Sequence, residues 1–265
     1  VSWLQTIVLA IVQGLTEFLP ISSSGHLVLV PAIFGWTDQG LIFDVAVHLG
    51  SLAAVCVYFR KDLAGLIAGG VRLVGGSGGS PESRMALYIM IGTIPAAITG
   101  LLFAGWIEAN LRHPVVIVFT LSGYGVLMAL ADRLGRQQRI FANVRLKDAI
   151  IIGIAQALAL VPGTSRSGVT ISAAMMLGFQ RQDAARFSFL LSAPVIMLAA
   201  AFESSMLFVE ETQFAWTQLA IGVSISAVVA YFSIDFFMRF VNVIGLLPFA
   251  IYRLVLAGVV LYALV

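Results

Sequence analysis

Apolar positions dominate this chain, and their run lengths fall into two kinds. Six stretches, residues 41–59, 85–105, 114–131, 184–202, 215–238 and 246–264, come close to the roughly 20 apolar residues that a helix needs to cross a bilayer. The others are short or broken. Residues 1–19 run into Pro20 and a serine cluster, and residues 25–35 stop too early to cross. Residues 148–161 end at Pro162-Gly163, and the apolar pattern resumes only briefly from Gly168. Short Gly/Pro-interrupted segments at matching places in two halves predict re-entrant helix–loop–helix hairpins lining a site at depth. Irregular backbone is tolerated there only against protein or a wet cavity.

The two broken regions are related. QGLTEFLPISSSGH at 13–26 aligns with QALALVPGTSRSGV at 156–169 at a constant offset of 143 residues. Gln13 falls on Gln156, Ser22 on Ser165, Ser24 on Ser167 and Gly25 on Gly168. A weaker echo links GTIPAAI at 92–98 with GLLPFAI at 245–251. The expectation is an all-α polytopic membrane protein with an inverted-topology repeat, each half one re-entrant helix hairpin plus three transmembrane helices. Repeat one spans 1–131 and repeat two 146–265 of a single integral-membrane domain. Three crossings per half is an odd number, so the halves must insert in opposite orientations. VGGSGGSPES at 74–83 reads as a flexible cytoplasmic linker. The first stretch is apolar from Val1 without a basic flank, and is read as mature structure rather than a signal peptide.

Composition agrees with lipid as the solvent. Hydrophobic residues make up 60% and charged residues 11%, against about 25% charged in soluble domains; mean hydropathy is +1.01. Cys56 lies alone in AAVCVYF and suggests no disulfide or thiolate site. The expected topology gathers 12 of the 15 basic residues on one side, from Arg60 and Lys61 to Arg239. Arg112 falls in an opposite loop together with Glu108, Glu203, Glu210 and Glu211. By the positive-inside rule the basic side is cytoplasmic. Both termini and the mouth of the first hairpin then face the outer, periplasmic side of a bacterial inner membrane. The basic run from Arg133 to Lys147 needs no explanation beyond that bias, and no nucleic-acid partner is expected.

Where the two copies differ, chemistry is expected. Glu17 stands opposite Leu160, His26 opposite Val169 and Ser23 opposite Arg166. Gln13 and Glu17, four apart, share a helix face. An ionisable group so deep in an apolar segment points to function, although Glu17 pairing with Arg166 to close the hairpins is the plainer alternative. Ser22, Ser23 and Ser24 offer hydroxyls beside a helix start, a seat for phosphate. At least one of them caps the helix, Ser24 being the expected one. His26 follows as base or nucleophile. Arg166 presents a permanently charged bidentate fork suited to phosphate, and Gly163, Ser165, Ser167 and Gly168 suit close approach of an anion. Asp44 and His48 either line the cavity or pack between helices, and Arg253 either snorkels or extends the anion site.

With those residues in view, the chain resembles the undecaprenyl-diphosphate phosphatases of the bacitracin-resistance type. QGLTEFLPISSSGH fits that family's (E/Q)xxxE plus PxSSxGH signature, VPGTSRSG fits its PGxSRSG signature, and the likeness extends through FSFLLSAPVIM and PFAIYRLVLAG. The resemblance implies a membrane hydrolase that converts undecaprenyl diphosphate to undecaprenyl phosphate, recycling the cell-wall lipid carrier. It implies catalytic positions for Glu17, His26, Ser23 and Ser22, phosphate binding by Ser165 and Arg166, and Mg²⁺ or Ca²⁺ at Glu17 and Gln13; Ser24 and Gly168 join the expected phosphate-binding set from their places in the two loops. Gln in place of a second carboxylate at position 13 weakens a two-carboxylate metal site. The nucleophile is Ser23 with His26 as base, His26 itself, or a water positioned by Glu17. The alternative class is a transporter or flippase of a prenyl phosphate lipid, to which inverted repeats with broken helices also belong.

Overall fold

A computed structural model describes residues 2–111, 113–207 and 216–264. Among them run α1 (Trp3–Thr16), α2 (Ser23–Phe34), α3 (Leu41–Tyr58), α4 (Arg60–Val74), α5 (Pro81–Leu111) and α6 (Pro114–Leu134). The second half follows with α7 (Leu146–Ala157), α8 (Arg166–Met176), α9 (Arg181–Leu207), α10 (Trp216–Ile244) and α11 (Leu247–Leu264). α3, α5, α6, α9 and α10 are long and apolar enough to cross a bilayer. The protein is an all-α, multi-pass membrane protein. The sixth expected span is α11, which counts among the shorter apolar helices over Leu247–Tyr262, as do α1 and α2. Arg112, Glu210 and Glu211 and the side chain of Glu108, which entered the charge division, lie outside the described residues.

Two elements differ from expectation. Residues 60–74 form the amphipathic helix α4, packed along α5. At their contact a Cβ on Gly69 would lie 2.5 Å from the Glu82 carbonyl, so only glycine allows the approach. The flexible stretch shrinks accordingly, because α5 begins at Pro81, ahead of the expected residue 85. Ser80 accepts a hydrogen bond from the Ser83 amide at 3.1 Å, and proline suits a first helical position because its missing N–H would be unbonded there.

The halves interlock. α1 packs on α10 and α7 on α5, while α3 packs on α10 and α9 on α5; α3 meets α9 and α6 meets α11 across the halves. In a lipid solvent such contacts depend on close backbone approach through small residues. A Cβ on Gly50 would stand 2.4 Å from the Val223 carbonyl, and one on Gly153 would stand 2.5 Å from that of Gly92. The sequence echo at 92–98 and 245–251 does not follow this correspondence. Pro95 lies inside α5, the second long helix of its half, and Pro248 near the start of α11, the third.

The buried rings of Phe18, Phe59 and Phe237 pack around that of Phe189, with Phe18 and Phe189 5.2 Å apart edge to face. This cluster fixes the turn that follows α1. On the basic side, Arg139 pairs with the buried Asp148, donates to the Leu177 carbonyl at 3.0 Å and lies 4.2 Å over the Phe179 ring. The inter-half linker is thereby tied to the end of α8, a role beyond membrane-side bias.

Candidate active site

Two loops of one design meet at the centre. Ser22 caps α2 and Ser165 caps α8, each accepting from the amide three residues on, Gly25 at 3.4 Å and Gly168 at 3.2 Å. Both serines have left-handed backbone, with φ of 78° and 69°. Such conformations cost energy for non-glycine residues and cluster at functional sites. The expected capper Ser24 is instead exposed, with its hydroxyl 3.4 Å from that of Ser22. The hairpins lock together where Ser167 donates to the Leu19 carbonyl at 3.1 Å and Gly168 packs under Pro20. Gly168 therefore serves the crossing, and its amide is already bonded to Ser165.

Glu17 is the hub. Its Oε1 accepts from Arg166 Nη2 at 3.0 Å, and its Oε2 from Ser23 Oγ at 2.7 Å and Gln13 Nε2 at 3.0 Å. His48 Nε2 stands 3.6 Å from Oε2, beyond hydrogen-bond range. The other ring nitrogen of His48 faces the Asp44 carbonyl at 2.7 Å, so it must carry a proton. A single carboxylate, 7% exposed, thus holds a serine hydroxyl and a guanidinium from opposite hairpins. Arg166 spends a further donor on the Ser188 carbonyl at 3.4 Å. Of its five N–H donors, three have no partner among the described residues.

These groups border a cavity of about 350 Å³, lined by Glu17, Ser23, Ser24, Ser165 and Arg166 and by Asp44, His48 and Glu203. Asp44 and His48, four apart on the otherwise apolar α3, belong to it. Their spacing signalled a shared polar face, but sequence alone could not show which way α3 is turned. Glu203 enters from α9 without any sequence signal beyond its charge.

His26 does not reach Ser23 or Glu17. Its Nδ1 donates to the Ser22 carbonyl at 2.7 Å, which leaves Nε2 to accept from the Tyr252 hydroxyl at 2.6 Å. With both ring nitrogens engaged, His26 clamps the Ser22 turn to α11. Arg253 neither snorkels nor faces the cavity. It is 1% exposed and donates to the carbonyls of Gly163 at 2.9 Å, Thr120 at 3.2 Å and Leu121 at 3.3 Å. It anchors the second loop to α6. Gly163 is required there, because a Cβ would lie 2.3 Å from Thr120 Oγ1 at a φ of 85°.

The residues expected to bind Mg²⁺ or Ca²⁺ are engaged with protein donors, while Gln13 Oε1 is buried without a hydrogen-bond partner. Both Glu17 oxygens accept from N–H or O–H donors, one of them cationic, and Gln13 turns its nitrogen toward Glu17. Among the described residues no three His, Cys, Asp or Glu side chains gather as a metal would require.

A family model described as bacitracin resistance protein BacA matches residues 6–259. A protein named undecaprenyl-diphosphatase from Hahella chejuensis is 52% identical over 257 residues, covering 97% of this chain and 96% of its own. One of the same name from Teredinibacter turnerae is 50% identical over 259 residues, covering 98% of each. An undecaprenyl-diphosphatase 2 from Stutzerimonas stutzeri is 50% identical over 261 residues, covering 97% of each.

Proposed function

The chain belongs to the bacitracin resistance protein BacA family, and on that premise we propose that Ser23, Glu17 and Arg166 carry its reaction. The protein is a membrane hydrolase that converts undecaprenyl diphosphate and water to undecaprenyl phosphate and phosphate. The observation that carries the assignment is the 2.7 Å hydrogen bond from Ser23 Oγ to a carboxylate whose other oxygen pairs with Arg166.

Phosphoryl transfer depends on placing the groups in line and neutralising charge. The unused donors of Arg166 hold the terminal phosphoryl group, helped by the hydroxyls of Ser24 and Ser165 and by the Ser23 and Ser24 amides that open α2. Ser23 Oγ attacks the terminal phosphorus as its proton passes to Glu17, the general way a hydroxyl nucleophile is activated. The phosphoanhydride bond breaks, and undecaprenyl phosphate leaves with that proton. Water then attacks the phosphoserine, gives its proton to Glu17 and releases phosphate, and Ser23 recovers its proton from Glu17. His26 acts as a positioning residue through the Ser22 carbonyl. No step is assigned to a metal ion.

The cavity mouth is assigned to the periplasmic face of the bacterial inner membrane, on the strength of the basic residues at the other end. The decisive experiment measures phosphate released from undecaprenyl diphosphate by detergent-purified protein. Wild type should turn over, and Arg166→Ala should lose about 10²-fold or more in kcat/KM, the scale expected when a charge-stabilising donor is removed. A folded Arg166→Ala protein retaining more than about a tenth of wild-type kcat/KM would remove the clamp.

A further inference from the structure

The basic end of the molecule holds a cavity of about 650 Å³, walled by the starts of α4 and α5, the inter-half linker and α9. Its lining carries four basic side chains, Lys61, Arg84, Arg145 and Arg186, and two acidic ones, Asp62 and Glu82. Both carboxylates are already matched. Asp62 pairs with Arg186, which also lies 4.4 Å over the Phe141 ring, and Glu82 pairs at 3.3 Å with Arg72, which lies outside the lining. No described residue pairs with or accepts a hydrogen bond from the Lys61, Arg84 or Arg145 side chain. The positive-inside bias accounts for how many basic residues lie at this end. It does not account for three of them, from α4, α5 and the cap of α7, converging on one cavity with their charge unspent.

The cavity is not polar throughout. Leu190 is buried and Leu66 and Met85 are half-buried in its wall, whereas Lys61, Arg84 and Arg145 are exposed. Ile67, Val71 and Val74 form an exposed apolar stripe on α4, about half a turn round the helix from the cavity-lining Asp62, Gly65 and Leu66. A helix with a basic polar side and an apolar stripe turned outward is suited to the headgroup boundary of a bilayer, which puts the cavity at the depth of phospholipid phosphates. We propose that it binds the headgroup of an anionic phospholipid from the leaflet at the basic end. Lys61, Arg84 and Arg145 hold the phosphate, as basic pockets between membrane helices do, and Leu66 and Met85 meet the start of the acyl chains. A zwitterionic headgroup brings its own cation, and free phosphate has nothing to offer the apolar wall, so an anionic lipid is the ligand that uses both. The site shares no lining residue with the cavity at Glu17 and does not depend on the reaction assigned there.

Lipid titration of the purified protein in a neutral detergent tests this. Dioleoylphosphatidylglycerol should raise the thermal unfolding midpoint along a saturable curve, dioleoylphosphatidylcholine should act about tenfold more weakly, and inorganic phosphate at the same concentrations should have no effect. Lys61→Gln, Arg84→Gln and Arg145→Gln should each weaken the apparent affinity for phosphatidylglycerol about fivefold, the scale of one basic group beside an anionic headgroup, and about thirtyfold or more together. Arg133→Gln, Arg136→Gln and Lys147→Gln combined remove the same charge from exposed residues outside the cavity and should leave that affinity within about twofold. Elution from size exclusion as wild type reports the fold of each variant, and the single variants decide the matter where the triple one does not fold. Equal weakening by the two sets of substitutions would reduce the effect to diffuse surface charge. Equal stabilisation by phosphatidylcholine or by inorganic phosphate would mean that the ligand is not an anionic lipid. Either result overturns the proposal.

Discussion

Ser22 and Ser23 are adjacent in sequence and do unlike work. Ser22 is 1% exposed and spends its hydroxyl on the Gly25 amide, whereas Ser23 lines the cavity and donates to Glu17. Ser23→Ala should lower kcat by about 10³-fold or more with KM little changed, the pattern of an interaction used only in the transition state; stopped-assay phosphate release checks it. Ser22→Ala should retain most turnover and lose about 0.5–2 kcal/mol of stability, the usual worth of an N-cap, read as a lower unfolding midpoint in detergent. The crowding of donors on Glu17 yields a third expectation. Protein purified without substrate and dialysed against chelator should carry far less than one equivalent of Mg²⁺ or Ca²⁺ by elemental analysis, and a stoichiometric ion would contradict the donor set described. The motif made Glu17, Ser23 and Arg166 legible because their residue types are costly in lipid and must be used. It could not tell capping from cavity-lining among three adjacent serines, nor show His26 turned toward Tyr252, because both depend on backbone dihedrals and on a helix more than two hundred positions away.

At the scale of elements, the helix contacts explain what the hydrophobic pattern conveyed and what it did not. Long apolar runs must become helices in lipid, since every backbone N–H and C=O has to be satisfied within the segment, so α3, α5, α6, α9 and α10 were readable. α4 was not, because an amphipathic helix lying against α5 has neither a full apolar run nor the two-fold duplication to mark it. Nor does any pattern of apolar residues say which helices pair, and here glycine decides. The α3–α10 contact closes on Gly50, where an added methyl would meet the Val223 carbonyl at 2.4 Å and Ser226 Cβ at 3.0 Å. Neither neighbour is the free end of a flexible side chain, so the helices must separate. That movement also strains the hydrogen bonds of Ser226 with the Val47 carbonyl at 2.7 Å and with Ser51 at 3.1 Å. Gly50→Ala should therefore destabilise by about 1–3 kcal/mol, the range for overpacking, whereas Gly105→Ala on α5, with nothing within 4 Å, should not. Parallel thermal unfolding of the two variants in one detergent checks the contrast.

For the whole molecule the remaining question is sidedness, which the charge distribution addresses and the helix arrangement makes testable. The cavity lined by Glu17, Ser23 and Arg166 lies where the two hairpins cross, while Arg139, Arg145, Arg181 and Arg186 gather around the linker and the starts of α7 and α9, far along α9 from its cavity-lining Ala199 and Glu203. From Arg186 to Glu203 is 17 residues of one helix, or about 25 Å at the α-helical rise, close to the thickness of a hydrocarbon core. Helix α9 is thus long enough to place its two ends at opposite faces of a bilayer, and the positive-inside rule would put the basic end in the cytoplasm. Ser24 is exposed at the cavity and Ala142 is exposed in the basic linker. In a Cys56→Ser background, a small membrane-impermeant thiol reagent applied to intact cells should label Ser24→Cys and spare Ala142→Cys, and inverted inner-membrane vesicles should reverse the pattern. Labelling of Ala142→Cys from outside would place the basic face in the periplasm. The hydrolytic site would then open toward the cytoplasm, and release of phosphate into the periplasm could no longer be assigned to this protein.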